Sequence, residues 1–379
     1  MNDVVIVAAQ RTPIGKIGGR LAHLPPESLA ASILSRLSRD IDAEEIDEVM
    51  LGNVVGPGGN MARLALLEAD FPVSVPGVTV DRQCGSGLEA INMAARHIQS
   101  GAGDVYIAGG VESTSLAPWK MAKPASIYQP NPPSMFSRAR FSPATVGDPE
   151  MGEAAENVAS RYGITREKQD EFAYESHRKA IKAQQSGLFQ EEIVPVAGVH
   201  EDECPRPTTS IEKLAKLSPV FKEGGTVTAG NACPMNDGAA AVLLMSLEKC
   251  QALGLKPLAR FVDSTSSGVD PNVLGIGPIP AVQTLWQRQR LTERDIDLVE
   301  FNEAFASQVI ASLEELNIDY EKVNRSGGAL ALGHPYGASG AILVTRLVHE
   351  LAWHDAKRGI ATLGIGGGLG LATLFEKYE

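Results

Sequence analysis

Val78-Thr79-Val80-Asp81-Arg82-Gln83-Cys84-Gly85-Ser86-Gly87-Leu88-Glu89 sets a cysteine between two different periodicities. Val78, Thr79 and Val80 favour extended backbone and read as the end of a strand. Leu88, Ile91, Met93 and Ala94 then follow at helical spacing. Cys84 therefore stands at a strand-to-helix corner, beside the free N–H groups and positive dipole end of the new helix. That setting predicts a thiol of lowered pKa, able to act as a nucleophile. Gly85 and Gly87 would let a substrate approach the backbone closely. The plainer alternative is a buried cysteine serving as a small hydrophobe.

The same alternation continues outward from this corner. Val4–Ala8 reads as a buried strand, Leu29–Leu37 as a helix, Glu48–Gly52 as a strand entry, and Val105–Ala108 as the strand after the Cys84 helix. An α/β sheet covered by helices is the class this pattern predicts. From Trp119 to about Pro149 the texture turns to proline and serine, as in a long surface excursion. Helices are expected at Met151–Tyr162 and Arg166–Ser186, and a strand at Ala239–Met245. A second half begins near Lys256, with a helix around Ile279–Gln289, a strand at Leu298–Phe301, a helix at Glu303–Leu316, and closing strands at Ile360–Leu363 and Leu371–Phe375.

The two halves read as distant copies. Cys84-Gly85-Ser86-Gly87 precedes a helix and then Gly103-Asp104-Val105-Tyr106-Ile107-Ala108-Gly109-Gly110. Gly333-His334-Pro335-Tyr336-Gly337-Ala338-Ser339-Gly340 likewise opens a helix, followed by Arg358-Gly359-Ile360-Ala361-Thr362-Leu363-Gly364-Ile365-Gly366-Gly367. One copy supplies a cysteine and the other a histidine at the equivalent corner.

Composition narrows the class further. The chain has 379 residues, 38 glycines and a net charge of −12, with no dense basic run. This argues against nucleic-acid binding and leaves room for an anion held by a local cluster. The cysteines at 84, 204, 233 and 250 form neither close pairs nor a disulfide framework, so free thiols in a reducing compartment are expected. No apolar run approaches the roughly 18–20 residues of a membrane span. The N-terminus lacks the positive region of a secretory signal, and a cytoplasmic location away from membranes is expected.

Among seven histidines, His334 is the best base for a Cys84 nucleophile, because its turn is dense in glycine. A structural turn residue is the alternative. His97, His177, His349 and His354 read as ordinary helix residues at surface or boundary positions. Asn302 follows a strand, where it could cap a helix or orient a donor toward a developing oxyanion. Asn236 and Asp237 read equally well as a plain turn. Gly366-Gly367-Gly368 lacks the spacing of a dinucleotide fingerprint, yet its N–H groups could line an oxyanion site.

Taken together, these segments resemble the thiolases, the acyl-CoA acetyltransferase family. The resemblance runs nearly end to end, through Arg11-Thr12-Pro13-Ile14-Gly15-Lys16, the Cys84 segment, Gly109-Gly110-Val111-Glu112-Ser113, Thr226-Val227-Thr228-Ala229-Gly230-Asn231, Asn236-Asp237-Gly238-Ala239, Asn302-Glu303-Ala304-Phe305 and the His334 segment. It implies a five-layered αβαβα fold of two duplicated halves, residues 1–118 with 233–250 and residues 251–379, with a loop domain inserted at 119–232. It implies a homodimer or homotetramer, with coenzyme A and acyl-CoA as substrates and neither a covalently bound cofactor nor a metal. Cys84 would carry the acyl group and His334 would take its proton. Asn302 would hold a water that, with His334, stabilises the oxygen of the enolate or thioester. The N–H groups of Cys84 and Gly366 would form a second oxyanion hole. Thr228, Ala229 and Cys233 would lie against the pantetheine arm. Ketoacyl synthases share the fold but would want a second histidine in place of Asn302.

One position departs from the family. The resemblance implies a second cysteine two residues before the oxyanion glycine, and that place holds Gly364. Acylation of Cys84 should survive this change, whereas proton transfer at the α-carbon is left without its expected group. A second departure puts Cys233-Pro234 after Asn231-Ala232, where a small serine-glycine pair is common. Two roles are open to Cys233: a wall for the coenzyme, or a relay that, like a water in the space at Gly364, performs the missing proton transfer. Three readings follow. They are a thiolase-type transferase, an acyl-CoA enzyme ending in hydrolysis or transfer to another nucleophile, and a coenzyme-A-binding homologue without catalysis.

Overall fold

The computed structural model describes residues 2–378 apart from 125, 127, 129–132 and 137. Its strands are β1 (Val4–Arg11), β2 (Gly15–Lys16), β3 (Glu48–Gly52), β4 (Gly77–Val80), β5 (Val105–Ser113), β6 (Lys120–Met121), β7 (Met135–Phe136), β8 (Asn236–Ser246), β9 (Ala259–Gly268), β10 (Leu298–Phe301), β11 (Arg358–Ile365) and β12 (Leu369–Lys377). The hydrogen-bonded order is β10-β11-β12-β9-β1-β8-β5-β3-β4, with β2 on β8 and a separate β6–β7 pair.

The duplication is visible in this order. In the first half, β8 lies antiparallel between β1 and β5, β3 joins β5 in parallel, and β4 joins β3 in parallel. In the second, β12 lies antiparallel between β9 and β11, and β10 joins β11 in parallel. Val323 adds a single parallel bridge to Val299 where the counterpart of β4 would lie. The copies meet along the antiparallel pairing of β1 with β9.

Period-two alternation in the strands sorts side chains into layers. In β8, Ala239, Ala241, Leu243 and Met245 face an outer core shared with the helices Pro26–Leu37 and Met61–Glu68. Ala240, Val242 and Leu244 face the middle, where the helices Ser86–Ser100 and Tyr336–Trp353 lie. In the second half, Ala361 and Leu363 face that same middle layer. Ile360 and Phe301 face a third core with the helices Pro278–Gln289 and Ala306–Leu316. Helix, sheet, helix, sheet and helix are thus stacked in five layers.

Some sequence expectations shift. The Ser- and Thr-rich β9 has no continuous apolar run, so the sequence reading passes over it, although it is central to the sheet. The helix expected from Glu303 begins at Ala306, because Asn302 to Phe305 form an irregular turn. Among the described residues of the Trp119–Pro149 excursion, only the short antiparallel β6–β7 pair is regular, and part of the stretch lies outside the described residues.

The inserted segment is tied to β1 by buried charge. Arg11 is fully buried; its Nε donates to Glu192 Oε1 at 2.8 Å and its two terminal nitrogens grip Asp202 at 2.7 and 2.9 Å. Arg346, on the second central helix, reaches Glu192 at 3.4 Å and Glu300 at 3.3 Å. The Phe189 ring lies between both guanidinium groups, 5.2 and 4.9 Å from ring centroid to carbon. Removing one partner from such a cluster strands the others in low dielectric. Arg11→Ala is therefore expected to lose about 3–5 kcal/mol, read from urea denaturation. A loss below 1 kcal/mol would remove this cluster from the account of stability.

Candidate active site

The Cys84 corner is held by its own backbone. Gln83 sits in the left-handed region at φ 49°, uncommon for a side-chain-bearing residue and a form of stored strain. The Gly85 N–H donates to Arg82 O at 3.0 Å and the Ser86 N–H to Gln83 O at 2.9 Å. Ser86 Oγ accepts the Arg82 N–H at 2.8 Å and donates to Gln83 O at 2.6 Å. The cysteine is thereby presented on a short, over-determined turn just ahead of the 15-residue helix Ser86–Ser100.

The thiol departs from the sequence expectation. Burial pushes its pKa up to about 12, although the N–H groups of Cys84 itself and of Gly366 favour the thiolate. Lost hydration outweighs a helix end worth about 0.3–1 kcal/mol. The resting group is a neutral thiol, not the thiolate that the corner alone predicts.

His334 occupies the matching corner and is also buried. Its Nδ1 lies 2.6 Å from Ser339 Oγ and its Nε2 3.4 Å from Asn302 Nδ2. An amide nitrogen only donates, so we assign Nε2 as acceptor and Nδ1 as the protonated nitrogen. Ser339 then passes its own hydroxyl to Pro335 O at 3.2 Å. Burial lowers the imidazole pKa to about 4, so the ring is neutral at physiological pH. Its backbone N–H donates to Asn236 Oδ1 at 2.9 Å, while Asn236 Nδ2 donates to Gly15 O at 2.8 Å and to Cys204 Sγ at 3.2 Å. Asn236, readable as a plain turn residue in the sequence, thus fixes the histidine turn.

The corners are juxtaposed by backbone packing. Gly87 and Gly337 each lie three residues beyond Cys84 and His334, and a Cβ on Gly87 would stand 2.7 Å from Gly337 O. A Cβ on Gly340 would stand 2.4 Å from Leu88 N. Glu112, fully buried on β5, accepts the Gly337 N–H at 3.0 Å and the Val54 and Val55 N–H groups at 3.1 and 3.2 Å. Burial pushes that carboxyl up to about 7 against these bonds.

Around this pair, the Gly366 N–H favours the Cys84 thiolate, and the Phe141 ring covers Gly366, 3.0 Å from where a Cβ would be. Phe141 comes from the irregular excursion and no motif marks it. At Gly364 a Cβ would stand 2.8 Å from Gly275 O. Cys233 is half-buried; its N–H donates to Ala304 O at 2.9 Å, and burial, with Cys84 nearby, raises its pKa.

A cleft of about 380 Å³ adjoins Cys233 on the side of the insert, lined by Lys16, His177, Arg206, Lys213, Ala229 and Pro234 among others. Thr228 is buried behind it, with its hydroxyl accepting the Gly230 N–H at 3.1 Å. The loop is held from below by Glu156, which accepts the Thr226 and Val227 N–H groups at 2.8 and 2.7 Å. His177, expected near the surface, is buried and accepts the Arg206 N–H at 3.3 Å; burial lowers its pKa to about 4. The helix it occupies is covered by the Arg206 segment of the same insert, which helical periodicity does not reveal.

Duplicated α/β halves with paired catalytic-type corners define an acyl-transferring enzyme. The thiolase N-terminal domain matches residues 4–248 and the thiolase C-terminal domain residues 255–377. A Staphylococcus epidermidis protein provisionally named acetyl-CoA C-acetyltransferase VraB is 51% identical over 385 residues, covering 100% of this chain and 99% of that one. A Staphylococcus aureus protein of the same provisional name is 49% identical over 384 residues, covering 100% of both. The crystal structure of the Bacillus anthracis acetyl-CoA acetyltransferase superposes with a TM-score of 0.94 at 42% identity, covering 100% of this chain and 99% of that one. The chain belongs to the thiolase family, and its activity is that of a thiolase-type acyltransferase.

A neutral Cys84 thiol has a measurable consequence. Its alkylation by iodoacetamide should accelerate about tenfold per pH unit, because the thiolate fraction does so below the pKa. The rise should continue from pH 7 to pH 10 without a plateau, given a thiol pushed up to about 12. A plateau near neutrality, followed by peptide mapping of Cys84, would instead reveal a thiolate–imidazolium pair.

Proposed function

We propose that the protein transfers acyl groups through a thioester on Cys84, taking them from acetyl-CoA or from short or medium 3-ketoacyl-CoA. The observation that carries this is the packing of the Cys84 and His334 corners against each other, where a Cβ on Gly87 would stand 2.7 Å from the Gly337 carbonyl oxygen. The N–H groups of Cys84 and Gly366, which favour the thiolate, would stabilise the oxygen of a tetrahedral intermediate on that sulfur. His334, neutral and with its Nε2 lone pair free of a proton, accepts the thiol proton as the sulfur attacks. Starting from two neutral groups, charge develops only during the reaction. Asn302, beside Nε2, holds a water against the enolate or thioester oxygen.

Coenzyme A lies along the insert, with Thr228, Ala229 and Cys233 beside its pantetheine arm and Lys16, Arg206 and Lys213 lining the adjoining cleft. Those three cations supply a local field for phosphates within an acidic chain. The domain division that fits this arrangement is 1–118 with 233–250, an insert at 119–232, and 251–379. We place the protein in the cytoplasm and in fatty acid metabolism, a reading the four free cysteines support. No helix among the described residues is long and apolar enough to cross a membrane. A homodimer or homotetramer fits the outer strand β4, with Leu64, Leu67 and Val73 exposed near it, and the exposed Trp119 and Met121.

Gly364 supports a second reading, in which the acyl-enzyme is discharged to water or another nucleophile without carbon–carbon chemistry. A positioned acid–base group contributes about 10²–10⁴ in rate. That is about 2.7–5.4 kcal/mol of barrier at about 1.36 kcal/mol per decade. No side chain at 364 can supply it, and adding one would require the Gly275 turn to move.

Incubation with acetoacetyl-CoA, followed by mass spectrometry of the Cys84 peptide, tests the proposal. An acetyl adduct discharged to acetyl-CoA by free coenzyme A is the expected result. An adduct discharged only by water would leave the second reading, and the lack of any adduct would sink both.

A further inference from the structure

Tyr336 immediately follows His334-Pro335 and opens the second central helix. Its ring meets the His334 ring edge-on, with centroids 5.2 Å apart and planes at 89°. The neighbouring Gly337 backbone touches the first turn of the Cys84 helix at Gly87. The side-chain and backbone hydrogen bonds of this turn run through His334, Gly337 and Ser339, and none takes the Tyr336 hydroxyl. Tyr336 is part-buried, and its hydroxyl is not among the unpartnered polar atoms sealed from solvent. The hydroxyl takes no hydrogen-bond partner among the described residues and is open to a ligand, within the electrostatic reach of the thiols Cys84 and Cys233 and the Glu112 carboxyl.

We propose that the Tyr336 hydroxyl is the acid–base group that exchanges a proton with the α-carbon of the substrate, in the role left empty at Gly364. This rests on the reading of Cys84 as the acyl carrier. In cleavage, the Cys84 proton passes to His334 and the sulfur bonds to the 3-keto carbon. The bond between that carbon and the α-carbon then breaks, leaving the enolate of acetyl-CoA, and Tyr336 gives its proton to the α-carbon. Incoming coenzyme A returns a proton from its thiol to the tyrosinate, and its sulfur attacks the acyl group. Cys84 leaves as thiolate and recovers its proton from His334. No other reactant is needed, and both groups end as they began.

Desolvation, reinforced by Cys233, Cys84 and Glu112, makes the phenol hold its proton more tightly than in water. Such a group remains a competent donor to a carbanion and becomes a poor base.

The experiment compares wild type, Tyr336→Phe and Cys233→Ser in two assays. One is thiolysis of acetoacetyl-CoA. The other is exchange of labelled coenzyme A into acetyl-CoA, which involves Cys84 and His334 and no α-carbon. Tyr336→Phe keeps the ring against His334 and removes a hydroxyl without a protein partner, so its thermal midpoint should match wild type. Thiolysis in Tyr336→Phe should fall by about 10²–10⁴ while exchange keeps its wild-type rate. In deuterated water, wild type should wash deuterium into the methyl group of acetyl-CoA, and Tyr336→Phe should do so about 10²–10⁴ more slowly. Unchanged thiolysis in Tyr336→Phe, an equal loss in both assays, or a selective loss of thiolysis confined to Cys233→Ser would each overturn the proposal. Absence of exchange in wild type would instead overturn the underlying role of Cys84.

Discussion

Backbone-to-backbone contact between the two central helices is the constraint on which the rest depends. Gly87 stands against the Gly337 carbonyl and Gly340 against Leu88, so no side chain separates the helices at their first turns. Each copy delivers its reactive residue three positions before its contact glycine. The approach of the helices therefore sets the approach of Cys84 and His334. Gly110 reinforces it from β5, where any Cβ would strike the same Gly337 carbonyl at 2.0 Å. The bulky apolar residues of the middle layer, Ile91, Ile98, Leu347 and Leu351 among them, lie elsewhere along the helices and supply the burial that holds the contact closed.

Two buried electrostatic regimes lie close together. Around Arg11 and Arg346, buried guanidinium and carboxyl groups of opposite charge compensate one another. At the site, burial without a counter-charge drives thiol, imidazole and phenol alike toward their neutral forms. A site of neutral groups stores its electrostatic effect in fixed dipoles, such as the N–H groups of Cys84 and Gly366, which act on charge when it forms.

The fold was legible wherever apolar alternation was strong. Helix Met151–Tyr162 and strand β10 fall where periodicity puts them, and the paired glycine turns expose the duplication. Strand β9 was hidden because serine and threonine replace its apolar face. Cys84 and His334 were legible from their corners, but their protonation states were not, since burial by distant segments decides them. Phe141 and Ser339 show the same limit in different ways. Phe141 reaches Gly366 from an irregular stretch with no motif, and Ser339 supports His334 through a helical turn whose orientation only the packed helix defines. Tyr336 lies inside a recognisable motif that does not reveal its role, because the groups acting on it, Cys84, Glu112 and Cys233, belong to the other copy.

The seam where β1 pairs with β9 gives the molecule an unusual division of labour. The sulfur belongs to one ancestral copy, and the imidazole and Gly366 to the other. Neither copy can drift as a rigid unit without changing the distance between reacting groups. Sequence change is thus freest on the outer helices and most constrained along an internal joint that touches no substrate. A chain cut at the loop between the copies would yield two inert fragments whose activity reports, quantitatively, how faithfully they find each other again.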